Sequence, residues 1–153
     1  PKMANTQSMC TSFMGELMTA THNFGSAPIR AASTADTFKA ALYLASATIS
    51  AATATYSSTG EVTGTNYTAG GVAITSWNTP TTSGTTGFTT PSASITYTNV
   101  TLSTAFDCVL IYNNTQSNKA VSVHTFGSQT VTAGTFTLTM PTNDASNALI
   151  RLA

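Results

Sequence analysis

The chain has 153 residues, which suits one domain able to bury a sizeable core without disulfides or metals. Charged residues make up only 7%, against about 25% in ordinary soluble domains, and the formal net charge is zero. The few basic residues are scattered and no apolar run reaches the roughly 18 residues of a membrane span, so we expect neither a nucleic-acid nor a membrane partner.

The N-terminal sequence PKMANTQSMC lacks the apolar stretch of a signal peptide, so we expect no secretion. We therefore expect Cys10 and Cys108 to be free, buried thiols rather than a disulfide.

The segment CTSFMGELMTATHNF carries an apolar stripe at helical spacing, which predicts a short helix. The stripe contains Phe13, Met14, Leu17 and Met18. A helix this short is marginal alone, so it must dock on its own sheet or on a neighbouring subunit. The next residues, GSAPIRAASTAD, contain glycine and proline and predict a loop.

From residue 36 onward the pattern becomes that of β-strands. TFKAALYLAS alternates with period two and predicts a strand, and GVAITSWN, SASITYTNVTLS, GTFTLTMP and NALIRLA predict four more. TTSGTTGFTT predicts a weak strand or a loop, and FDCVLIYNNTQSNKAVSVHTFG predicts a hairpin.

Together these segments predict an all-β fold: an antiparallel, jelly-roll-like β-sandwich of about seven or eight strands with a short N-terminal helix or arm. The expected organisation is a single domain over 1–153, with a helical arm and loop over 1–30 and the sandwich over 36–153.

The hairpin segment holds Asp107, Cys108 and His124, residue types found in nucleophilic catalysis. One strand register places Cys108 opposite His124, with Val109, Ile111, Val121 and Val123 forming one apolar face; a register shifted by one places Asp107 there instead. Because Asp107 and Cys108 are neighbours on a strand, they point to opposite faces and cannot both reach the histidine. We therefore predict a packing role for the cysteine and no catalytic triad, and we keep a pH-sensitive contact as a hypothesis for His124.

The remaining residues give little indication of a metal site or of acid–base catalysis. The cysteines and histidines have none of the spacings of a zinc site, so we expect no metal and no cofactor. The acidic residues are dispersed, and Glu61 follows Gly60 in a predicted turn rather than standing as a catalytic base. Five aromatic residues leave two alternatives open, since they could stack on sugars from an exposed sheet face or anchor the core or an interface. They are Tyr43, Tyr56, Tyr67, Trp77 and Tyr97.

Several phrases occur together in one order: SFMGELMTATHNF, EVTGTNYTAGG, LIYN followed by KAVSVHTFG, and the closing LIRLA. In this order they resemble a family of small virion structural proteins from tailed bacteriophages and prophages. The resemblance runs from about Met9 to the C-terminus, and it carries no active-site residues.

The resemblance implies a non-enzymatic capsid decoration, or cement, protein on the outer surface of the phage head, made in the bacterial cytoplasm. The alternative is a tail- or fibre-associated protein, or an adhesin-like module that binds glycans. The implied partners are the major capsid protein and further copies of the chain, as a homodimer or homotrimer, without nucleic acid, membrane or small-molecule substrate. The candidate interface residues are Phe13, Met14, Leu17, Met18, Asn113, Asn114 and Lys119.

Overall fold

The computed structural model describes residues 4–18, 20–25 and 35–153. It contains one helix, α1, over Thr11–Met18, and eight strands within these residues. The strands are β1 (Ser8–Met9), β2 (Phe38–Leu44), β3 (Val72–Ala73), β4 (Thr81–Ser83), β5 (Thr86–Thr89), β6 (Ile95–Asn113), β7 (Lys119–Leu138) and β8 (Ile150–Leu152).

The strands form two antiparallel sheets. The larger sheet has the order β1-β7-β6-β2-β3, and the smaller has the order β4-β5-β8. Ile150 of β8 belongs to the same hydrophobic cluster as the large sheet, so the two sheets share a core. This arrangement confirms the predicted all-β, sandwich-like fold class.

Strands β6 and β7 are much longer than the sequence pattern predicts, with 19 and 20 residues. The segments SASITYTNVTLS and FDCVLIYN are predicted as separate strands but form one, and GTFTLTMP continues the second arm of the hairpin. Bulges explain the difference, because several register shifts interrupt the alternation without ending the pairing. Asn99 and Ala133, both with positive φ, lie at two of these shifts.

The remaining strands are shorter than expected or differently arranged. Only Val72–Ala73 of GVAITSWN is a strand, and only Ile150–Leu152 of the closing segment. TTSGTTGFTT, expected as a weak strand or loop, is the β4–β5 hairpin, with Gly84 in the left-handed region at its turn.

The N-terminal segment is part of the domain rather than a separate arm. β1 pairs with β7, α1 packs against β7, and Cys10 and Phe13 are buried in the core. The predicted loop over 25–36 lies mostly outside the described residues. Within those residues no helix is long and apolar enough to cross a membrane.

Candidate functional site

The observed hairpin register separates the residues of the apparent triad. Cys108 lies opposite Thr125, and His124 lies opposite Val109, so Cys108 and His124 occupy opposite faces. Both predicted registers for these residues are therefore wrong. The register that would place Cys108 opposite His124 is present only beside the turn, where Tyr112 lies opposite Ala120. A bulge between Ile111 and Tyr112 shifts the pairing of the preceding β6 residues by one.

The same shift corrects the predicted apolar face. Val109 and Ile111 oppose His124 and Ser122 rather than two valines, and Leu110 opposes Val123. The hairpin is buried on both faces here, so its side chains need not alternate between apolar and polar.

Both cysteines are free and fully buried, as the sequence predicts. Burial raises the pKa of the Cys108 thiol to about 12 and that of Cys10 to about 11, with the nearby Asp107 and Glu16 carboxylates adding to the shift. Since the thiolate is the nucleophile, a thiol that stays protonated at neutral pH is inert. These cysteines act as small apolar side chains.

Asp107 and His124 each bind a residue of their own chain. The side-chain amide of Asn5 donates a hydrogen bond of 2.6 Å to Asp107 Oδ1. His124 Nε2 lies 2.8 Å from Ser122 Oγ, and burial lowers the pKa of the imidazole to about 4. His124 is therefore neutral at physiological pH and becomes protonated only under acidic conditions.

The depressed pKa of His124 predicts a specific acid sensitivity. The unfolded chain binds a proton near pH 6.5 and the folded chain near pH 4, so folding stability is complete above pH 6.5 and falls as the pH drops from 6.5 to 4. We expect a loss of about 1–2 kcal/mol after allowing for solvent screening of a half-buried ring.

Urea unfolding of the wild type and of His124→Gln at pH 7 and pH 4.5 measures this loss. The variant should lose less stability over that interval, because its other titrating groups are unchanged. Equal losses in both proteins would show that His124 does not contribute.

The sequence analysis did not predict the contact between Ser122 and His124, although the spacing S-x-H on a strand places both side chains on one face. It borders a cavity of about 440 Å³ between β1, β7 and residues 141–151. The pair has the distance of a serine–histidine dyad, but Ser122 is buried and the described residues place no partner at His124 Nδ1 to orient the ring. Among the described residues, the pair therefore lacks the orienting third group of a catalytic triad.

A second polar group, the His22 cluster, consists of Glu16, His22, Asp36, Asn113 and Lys119. The Asn113 amide donates to His22 Nδ1 at 3.0 Å and to Asp36 Oδ2 at 2.8 Å, which leaves Nε2 of the imidazole to donate to Glu16 Oε1 at 2.9 Å. Lys119 Nζ lies 3.0 Å from Glu16 Oε2. The cluster joins α1 to the end of the β6–β7 hairpin, so it holds the N-terminal segment on the sheet.

Two of the predicted interface residues, Asn113 and Lys119, belong to this cluster. Phe13 and Asn113 are buried, so they are corrected from surface candidates to parts of the chain's own interior. Leu17 is half-buried, while Asn114 is exposed and Lys119 partly so. The side chains of Met14 and Met18 lie outside the described part of the structure.

Glu61 is the most enclosed acid of the chain. Its turn is confirmed, because the Glu61 amide donates to the Ser58 carbonyl at 3.2 Å, but the carboxylate points inward. It accepts hydrogen bonds from the Tyr56 and Tyr67 hydroxyls at 2.9 and 3.1 Å and from the Gly70 amide at 2.9 Å. Within the described ranges, no group of three histidine, cysteine or acidic side chains is arranged to hold a metal ion.

The five aromatic residues considered for sugar stacking do not form an exposed platform. Tyr43 and Tyr97 are buried, and their hydroxyls donate to the Ser57 and Ala40 carbonyls. The other three are half-buried against rings of the same chain: Tyr56 on Tyr112, Tyr67 on Tyr97, and Trp77 on Phe24 and Phe38. Their contacts make them anchors of the core.

Comparisons with family models, curated proteins and solved structures find no match to this chain.

Proposed function

We propose that the chain is a non-enzymatic structural protein of a virion, a decoration protein that binds and stabilises the head shell of a tailed phage. Besides the sequence resemblance, one structural observation carries the proposal: the acidic side chains and the thiols are engaged or buried within the chain's own fold. Each of the five acidic side chains accepts hydrogen bonds from its own chain. Both thiols are buried and protonated.

The outer surface supports a role in crowded assemblies. Its described part presents mainly threonine, serine and alanine, and the chain carries no net charge. Copies without net charge do not repel one another, so they can lie side by side on a shell. Attachment at many points then needs only modest contact per copy when the copies are also joined.

The hairpin-loop surface, formed by Asn114, Thr115, Ser117 and Lys119, is the proposed contact with the shell. The first three of these residues are exposed. Two hydrogen bonds to Thr37 hold the loop in place: Thr115 Oγ1 accepts from the Thr37 amide at 2.8 Å, and the Asn114 amide donates to the Thr37 carbonyl at 2.8 Å. A loop already held by such hydrogen bonds loses little conformational entropy on binding.

Purified heads that lack the chain provide the test. Adding the protein should give saturable binding and raise the temperature at which heads release DNA. Asn114→Arg should weaken binding about tenfold or more, because a bulky charge would enter the contact. Ser46→Arg is the matched control, since Ser46 is exposed near the opposite end of β2 from this loop, and it should bind normally. Heads that neither bind the protein nor become more stable would contradict the proposal.

A further inference from the structure

The large sheet ends in an edge that is only partly covered. β1 pairs with β7 at Ser122 and Val123 alone. Beyond them the side chain of Gln7 accepts the Thr125 amide at 2.8 Å. From Phe126 to Leu138, no strand in the described part of the chain pairs with β7 on the side away from β6.

This open edge lacks most devices that protect strand edges. Natural edges are kept short or carry lysine, proline or inward-pointing charges. Residues 126–138 contain no charged residue and no proline. Bulges interrupt the first part of the edge, but the register shift nearest its end falls on the β6 side, at Asn99. β7 is therefore regular over 134–138.

The regular part of the edge also presents apolar surface. Thr135 and Thr137 are exposed on one face, while Phe136 and Leu138 are half-buried on the other. The ring centroid of Phe136 lies 5.0 Å from that of Phe106, and the side chain remains partly exposed. A strand added here would gain backbone hydrogen bonds and would cover the remaining apolar surface.

We propose that residues 134–138 of β7 pair with the same residues of a second copy, antiparallel and across a two-fold axis at Phe136. An uncharged edge offers nothing to steer a charged partner, whereas two copies of a neutral chain approach without repulsion. A two-fold contact uses one surface twice and closes at two copies. In this register Thr135 lies opposite the partner's Thr137. The pairing does not rest on the virion role.

Sedimentation equilibrium at increasing concentration tests the pairing. The wild type should approach twice the 15.7 kDa mass of one chain. Thr137→Lys should remain a monomer at concentrations where the wild type is dimeric, because a lysine on each copy would lie beside the two-fold axis. Thr96→Lys is the matched control: Thr96 is exposed directly opposite Thr137 on β6, one strand in from the edge, and this variant should still dimerise.

Hydrogen exchange gives a second readout that needs no variant. The amides of residues 134–138 that point away from β6 should become more protected as the wild-type concentration rises, while those of the exposed hairpin loop should not change. A wild type that stays monomeric, a dimer that survives Thr137→Lys, or protection that appears elsewhere would overturn the proposal. None of these outcomes depends on binding to phage heads.

Discussion

Replacing Gly71 by alanine is expected to destabilise the fold severely, because the new methyl group would clash with the backbone of β2. Gly71 has φ +77°, and a Cβ atom there would lie 1.8 Å from the Ala40 carbonyl oxygen. That oxygen belongs to β2 and accepts a 2.8 Å hydrogen bond from the Tyr97 hydroxyl, so it cannot move aside without breaking the contact. We expect a loss of about 4 kcal/mol or more, or failure to fold.

Gly84→Ala separates the clash from the backbone strain. Gly84 also has a positive φ, of +58°, but a Cβ atom there would meet nothing within 4 Å. The Gly84→Ala variant should lose about 1 kcal/mol of folding stability, which is the cost of placing alanine in the left-handed region. Urea denaturation of both variants measures the difference, and equal losses would show that the packing around Gly71 is not as described.

Replacing Glu61 by alanine should have the second large effect. The change would leave the Tyr56 and Tyr67 hydroxyls and the Gly70 amide without their shared acceptor. Burial, with Glu61 beside it, raises the pKa of Tyr56 to about 12, so this hydroxyl remains a donor at neutral pH. An unsatisfied buried donor costs about 1–3 kcal/mol, and because only the Gly70 amide is fully buried while both tyrosines are half-buried, we expect a total of about 3 kcal/mol.

Glu61→Gln is the control for this prediction. The amide keeps the size of the side chain and one acceptor oxygen, but its NH₂ group faces donors, so stability should lie between the wild type and Glu61→Ala. Tyr56→Phe in the Glu61→Ala background should cost less than in the wild type, because its hydrogen bond is already lost. A Glu61→Ala variant within about 0.5 kcal/mol of the wild type would contradict the role assigned to this carboxylate.

The sequence predicted the fold class and most strands because both depend on local patterns. Alternation and turn residues locate β2 and the hairpin, and the apolar stripe locates α1. The length of β6 and β7 was not predictable, since bulges at Asn99 and Ala133 break the alternation in the same way that a strand end does.

The polar groups inside the fold were harder to predict, because their partners are distant along the chain. Asp36 and Asn113 are 77 residues apart and meet only when β2 and β6 pair. Glu61 looked like an ordinary turn residue, and its burial follows from the way its loop folds over the sheet. Alternation along the strand correctly predicts that Asp107 and Cys108 lie on opposite faces, but it does not fix the register, so neither predicted partner of His124 lies opposite it.

The copy number of the chain in purified phage particles is the most direct test of the proposed virion role. Quantitative mass spectrometry of intact particles should give a fixed ratio of this chain to the major capsid protein, with many copies distributed over the head. A handful of copies confined to the tail, or none in the particle, would contradict a role as a decoration protein.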